Sequence, residues 1–145
     1  MDKSNQYIRM CEQAHEIQSQ WSPRHGDFFV GENGKIRPWL IHVNNEQDMV
    51  KGIHVQFDNG MPKLTRYIWL PRLDQLMEMA QDPGRRFENT TQIFFDWAKS
   101  PYQLLAPPPQ KIFNSLEKLW LCFLMHKKFT KQWDGEDWQS FTSLL

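Results

Sequence analysis

Seven consecutive apolar residues, Leu119 to Met125, constrain this 145-residue sequence more than any other feature. In a helix such a run is apolar on every side, so it predicts an element enclosed by the rest of the chain. It is far shorter than the roughly 20 residues that cross a bilayer. The predicted helix runs from about Lys111 to Phe129, with Trp120, Phe123 and Leu124 in the core. Asn114 and Glu117 have the spacing of a capping box, which predicts a firm start at Asn114. A chain of this length suits one ordinary domain, able to bury roughly two-thirds of its unfolded surface. Residues 1–145 are read as that single domain.

The flanking sequence changes period twice. Tyr7, Met10, Ala14, Ile17 and Trp21 recur at three- and four-residue spacing, which predicts an N-terminal helix capped by Ser4 and stopped at Ser22-Pro23. The middle is strand-like. Phe28 to Val30 leads through Asn33-Gly34 to a return over Ile36 to Val43, and Pro38 marks that return as an edge strand. Ile53, Val55 and Phe57 alternate with polar residues. Asp58-Asn59-Gly60 turns, and Leu64 to Leu70 returns. The two hairpins predict a small antiparallel sheet of three or four strands. The remainder reads as three or four helices. One follows Pro71 through Leu73, Leu76, Met77 and Ala80. Another carries Phe87, Thr91, Phe94, Phe95 and Ala98 and ends at Ser100-Pro101. Ala106 to Pro109 is a stiff spacer ahead of the enclosed helix. Asp134 is placed as the cap of a short last helix, with Trp133 and Trp138 as its hydrophobic staple. The fold class is α+β.

Composition narrows the function classes. The 17 basic and 17 acidic residues cancel, which argues against bulk electrostatic binding of nucleic acid. Seven Trp and ten Phe argue for a packed core and leave an excess that one core strains to hide. No leader or membrane segment is visible, so a cytoplasmic protein is expected. The two cysteines, Cys11 and Cys122, form no disulfide framework and are expected as free thiols.

Five strings run in order along the chain. The first is Cys11-Glu-x-Ala14-x-Glu16-Ile17-Gln18, and the second Trp21-x-Pro23-x-x-Gly26-Asp27. The third is Ile68-Trp69-Leu70-Pro71-Arg72-x-Asp74-Gln75-Leu76. Ser115-Leu-Glu117-Lys-Leu119-Trp120-Leu121-x-Phe123-x-Met125 and Trp133-Asp134-Gly135-Glu136-x-Trp138 close the set. Together they make the chain resemble a family of small uncharacterised proteins encoded by phages and prophages of Gram-positive bacteria (Firmicutes). The resemblance implies a phage-related cytoplasmic protein and supplies no catalytic residue.

Cys11 and His15, with Cys122 and His126, repeat an i, i+4 spacing whose convergence would suit tetrahedral zinc. Both thiols lie in apolar surroundings where Cys serves as a small hydrophobe, so no metal is assigned. No nucleophile motif, phosphate-binding glycine loop or paired carboxylate is present, so no catalytic residue or cofactor is assigned and a non-enzymatic protein is expected. The candidate interaction face comprises Trp39, Arg66, Tyr67, Trp69, Arg72, Arg85 and Arg86. The leading reading is an accessory or protein-interaction module of phage or prophage origin, binding a protein partner or a second copy of itself, with no membrane role. The alternative is a nucleic-acid binder in phage DNA metabolism that stacks bases on an Arg and aromatic face. Trp39, Trp69 and Trp97 decide between these readings, according to whether they are covered.

Overall fold

The hydroxyl of Ser4 accepts from the Tyr7 N–H and starts the first helix, as its position before the apolar periodicity predicts. The computed structural model describes residues 1–31, 33–40, 49–50, 53–58, 61–99 and 114–140, and of residues 49–66 the backbone alone. The chain divides into two compact units, Lys3–Pro71, and Met1–Asp2 with Arg72–Leu145.

In the Lys3–Pro71 unit, helix α1 (Asn5–Gln13) buries Tyr7, Met10 and Cys11. The predicted helix does not continue to Trp21. It breaks at Ala14, whose ψ of 69° is not helical, and a short α2 (His15–Gln18) follows. The cause is local. The Cys11 carbonyl, which an unbroken helix would bond to the His15 N–H, accepts instead from the Ala14 N–H and the Gln18 side-chain amide.

Strands β1 (Phe28–Val30) and β2 (Ile36–Pro38) form the first predicted hairpin, turning at Gly34 with φ +69°. Pro38 lies on the outer strand of its sheet, where its missing donor breaks no ladder bond. Residues 41–43 of the expected return lie outside the described residues. The second predicted return corresponds to two strands. Strand β5 (Met61–Arg66) pairs with β4 (Ile53–Asp58), which also pairs with β3 (Met49–Val50). After Tyr67 the chain leaves that ladder, and β6 (Ile68–Leu70) pairs with β1. One sheet of three or four strands is therefore replaced by two antiparallel three-stranded sheets, ordered β2-β1-β6 and β3-β4-β5. Of the turn between β4 and β5, Asn59 and Gly60 lie outside the described residues.

Among its described residues the second unit carries three helices, α3 (Leu73–Ala80), α4 (Phe87–Lys99) and α5 (Leu116–Phe129). Helix α3 begins after Arg72, whose N–H donates to the Gln75 side chain. Helix α5 is the enclosed element that the apolar run predicts. Every residue from Trp120 to Met125 is buried. Its cap is Ser115, which accepts from the Lys118 N–H, and not Asn114. Asn114 instead accepts from the buried Lys118 ammonium at 2.7 Å, and the Asp2 carboxylate stands 3.6 Å from the same group. Residues 100–113, which include the proline spacer, lie outside the described residues.

The expected last helix is a hairpin of β7 (Lys131–Trp133) and β8 (Trp138–Ser140). Asp134 makes the bonds of a helix cap, its Oδ1 accepting from the Glu136 and Asp137 N–H groups. But Gly135 takes φ +108°, and the Asp134 N–H donates to the Asp137 carbonyl. The chain turns back instead of coiling on. Trp133 and Trp138 become cross-strand partners with ring centroids 5.1 Å apart. The described helices and antiparallel strands make the chain α+β, and no helix among the described residues is long and apolar enough to cross a membrane.

Candidate interaction surface

Two of the three deciding tryptophans are covered. Trp39 is 0% exposed and Trp69 6%. Both pack on Trp21, the first edge-on at 6.1 Å and the second parallel at 6.1 Å. Phe29 closes the cluster against Trp39 at 5.7 Å and against the half-buried Tyr67 at 4.9 Å. Asp27, itself buried, anchors the group by accepting from the Trp21 indole N–H at 3.0 Å and the Arg24 N–H at 2.9 Å. Trp39 and Trp69 thus serve as core, and neither presents a ring face for stacking on a base.

The basic members of the predicted face fall in different places. Arg66 lies in β5, and its side chain is outside what the structure describes. Arg72 is half-exposed and paired with Asp74 at 3.1 Å. Arg85 reaches Asp82 at 3.7 Å, and Arg86 reaches Glu88 at 3.7 Å. Each of these three arginines has a carboxylate beside it, which lowers the positive field it offers to a phosphate.

Cys11 is buried whereas His15, beyond the break at Ala14, is exposed. The i, i+4 geometry that suggested a shared face is lost there. Cys122 is enclosed in α5, and burial pushes its thiol far up from the ordinary value. His126 is half-buried against the Trp97 ring at 5.8 Å, and burial lowers its pKa. No three or more His, Cys, Asp or Glu side chains among the described residues are grouped to hold a metal ion.

Among the described residues, large exposed apolar side chains lie elsewhere, two of them on α4. A thirteen-residue helix with Phe87, Ile93, Phe94, Phe95 and Trp97 is apolar over more than one stripe. Successive residues point about 100° apart, so Phe94 and Phe95 cannot both face one core. Phe94 wins. It is buried and stacked on Trp120 with centroids 3.9 Å apart. Trp97 leans on Phe123 at 5.4 Å and is half-buried. Phe95 is left 49% exposed and Phe87 46% exposed. They stand eight residues apart with Thr91 between them, on one row along the helix. The Thr91 hydroxyl donates back to the Phe87 carbonyl at 3.1 Å. Leu116, at the start of α5, is 55% exposed in the same unit. The adjacent Phe94-Phe95 pair was the sequence signal for this row, because the predicted stripe assigned both rings to the core.

Most of the strings quoted for the family resemblance are joints of the fold. Gln18 bonds the backbone of Trp69, Trp21 bonds Asp27, Gln75 holds Arg72, Ser115 caps α5, and Trp133 packs on Trp138. Comparison of the chain with protein families, curated proteins and solved structures finds no match.

Proposed function

We propose that this chain is a non-enzymatic interaction module of phage or prophage origin that docks a protein through the Phe87–Phe95 row of α4. One observation carries the reading: two phenylalanines on a single helix row stay half-exposed in a unit that buries Trp120, Phe123 and Phe94. Leaving half of a phenylalanine in water forgoes about 1 kcal/mol of burial. Two such rings in line supply an apolar anchor of the kind that protein interfaces favour. The phage or prophage origin, and with it a cytoplasmic setting, rests on the five ordered strings and the resemblance they carry.

The test compares wild type with a Phe87→Ser/Phe95→Ser double variant as baits in lysates of a Gram-positive host, with and without prophage induction. Near-UV circular dichroism checks that both baits are folded. The expected result is a protein retained by wild type and lost by the variant. Identical retained sets would overturn the reading. A parallel low-salt DNA titration addresses nucleic acid, and salt-dependent binding that is indifferent to the double substitution would move the assignment there.

A further inference from the structure

The turn between β1 and β2 sets a glycine nitrogen after an exposed asparagine amide. Asn33 is followed by Gly34, and both are exposed. A backbone nitrogen can close a five-membered ring on the side-chain carbonyl carbon of the asparagine before it. A side chain on the following residue crowds that closure, and glycine has none. At Gly34 the position a Cβ would take meets nothing within 4 Å, so that side of the turn is open to water.

Two bonds restrain the turn. The Gly34 N–H donates to the Gly31 carbonyl at 3.0 Å, and the Gly31 N–H donates to the Lys35 carbonyl at 3.0 Å. The Gly34 nitrogen is therefore released only when the turn opens. Strand β2 is a three-residue outer strand, and its Arg37 and Pro38 are exposed. Short outer elements with solvent-exposed bonds open locally at small cost. Beyond β2, Trp39 is buried and its N–H donates to the Asp27 carbonyl at 2.6 Å. The turn can thus fray while the far end of the hairpin stays anchored.

Other described residues with related chemistry are held. Asn114 precedes a serine, and its side-chain oxygen accepts from the Lys118 ammonium at 2.7 Å. Asn5 and Asn89 lie in helices and precede residues with side chains. Asp134 precedes a glycine, but its Oδ1 is fixed by two backbone N–H groups that favour the carboxylate, a poor electrophile. Asn59, the other asparagine before a glycine, lies outside the described residues.

We propose that Asn33 is a site of spontaneous deamidation in the folded protein. The Gly34 nitrogen bonds to Cγ of Asn33, and the side-chain nitrogen leaves as ammonia, taking up the Gly34 proton. The resulting succinimide adds one water. Opening at the side-chain carbonyl leaves aspartate at position 33. Opening at the main-chain carbonyl leaves isoaspartate, whose backbone runs through Cβ and Cγ. Both products add a negative charge to a chain whose formal net charge is zero. Isoaspartate also lengthens the link between β1 and β2 and disturbs the Val30–Ile36 pairing beside it.

The experiment incubates the full folded chain in mildly acidic and mildly alkaline buffer and maps peptides by tandem mass spectrometry, which reads position 33 apart from position 59. A gain of about one mass unit is expected at position 33, well ahead of positions 5, 89 and 114. It should accumulate faster in alkaline buffer, where the attacking nitrogen loses its proton more readily. A Gly34→Ala variant, checked for folding by near-UV circular dichroism, should slow the loss on the order of tenfold, because its Cβ crowds the ring closure. Unfolding the variant and wild type in urea compares the two rates with the turn open in both, and the same order is expected. An unchanged position 33, or one that changes no faster than Asn89 and Asn114, overturns the proposal. Equal rates in wild type and Gly34→Ala, folded and unfolded alike, overturn the ring-closure route.

Discussion

The side-chain amide of Gln18 pairs with the backbone of Trp69 as a neighbouring strand would. Its Oε1 accepts from the Trp69 N–H at 2.9 Å, and its Nε2 donates to the Trp69 carbonyl at 2.9 Å. Strand β6 is the outer strand of its sheet, so these two groups would otherwise face outward unpaired. The same Nε2 also donates to the Cys11 carbonyl at 3.0 Å, which holds the break between α1 and α2. Gln18→Leu is expected to destabilise the protein by about 2 kcal/mol, since it strands part-buried backbone groups. Gln18→Glu keeps an acceptor for the N–H but sets a carboxylate against the Trp69 carbonyl, so its cost should be at least as large at pH 7. Urea unfolding of the three proteins checks this. A Gln18→Leu midpoint equal to wild type would contradict it.

The hairpin at the end of the chain turns on Asp134. Its Oδ1 accepts from two backbone N–H groups, at 2.8 Å each, and its Oδ2 accepts from the Gln139 side chain at 3.1 Å. The bonds from the Asp137 and then the Glu136 N–H groups hold its carboxyl below the ordinary range. Asp134→Ala should cost about 1 kcal/mol, the usual loss when a capping acceptor is removed. Asp134→Asn retains an acceptor oxygen and should cost less than half as much. The buried Trp133 and Trp138 pair reports the turn directly, because their coupled near-UV signal should weaken in Asp134→Ala before global unfolding.

These two joints show what the sequence discloses and where it stops. The enclosed α5 was legible because an apolar run in a helix has only one physical solution. The β1–β2 turn was legible because Gly34 permits the positive φ that the turn needs. The last hairpin was misread because Asp134 offers the same two bonds to a helix start and to a turn. Only the φ of Gly135 and the distant packing of Trp133 separate them. No glycine or proline interrupts Leu64 to Leu70, so the transfer between sheets at Tyr67 is set by the partner strands and leaves no local mark. The candidate face failed at Trp39 and Trp69 for a related reason. A tryptophan's letter does not say whether another tryptophan covers it. Phe95 was assigned to the core although its neighbour Phe94 already filled that place.

Thr130 closes α5 in the left-handed region, at φ 55° and ψ 43°. A β-branched residue is strained there, and glycine is not. The Thr130 N–H still makes the helical bond to the His126 carbonyl, and its left-handed backbone then turns the chain out of the helix ahead of β7. Thr130→Gly is therefore expected to stabilise the protein by up to about 1 kcal/mol. Thr130→Ala removes the branch but keeps the Cβ, and should gain less. Thermal unfolding of the three proteins orders them Gly above Ala above Thr if strain dominates. A lower melting temperature for Thr130→Gly would show that the threonine contributes contacts that outweigh it.

Asp82 joins the end of α3 to the end of α5 through two lysines. Its carboxylate lies 2.9 Å from the Lys127 ammonium and 2.9 Å from that of Lys128. Lys127 also donates to the Ala80 carbonyl at 2.8 Å, just where α3 needs a partner for its last turn. The hydrogen bonds from Lys128 and then Lys127 hold the Asp82 carboxyl at about 2, below its ordinary 3.8. A depressed carboxylate pKa contributes stability that is fully present above the unfolded value. That stability is lost as pH falls through the folded value. The contribution of Asp82 should therefore hold at pH 5 and above, decline between about pH 4 and 2, and be absent below. Asp82→Asn, which cannot ionise, should be less stable than wild type at pH 7, with the gap closing over that window. Because the carboxylate is solvent-accessible, 0.5 M salt should narrow the gap at pH 7 as well. A gap that is independent of both pH and salt would show that Asp82 acts through shape and hydrogen bonding and not through its charge.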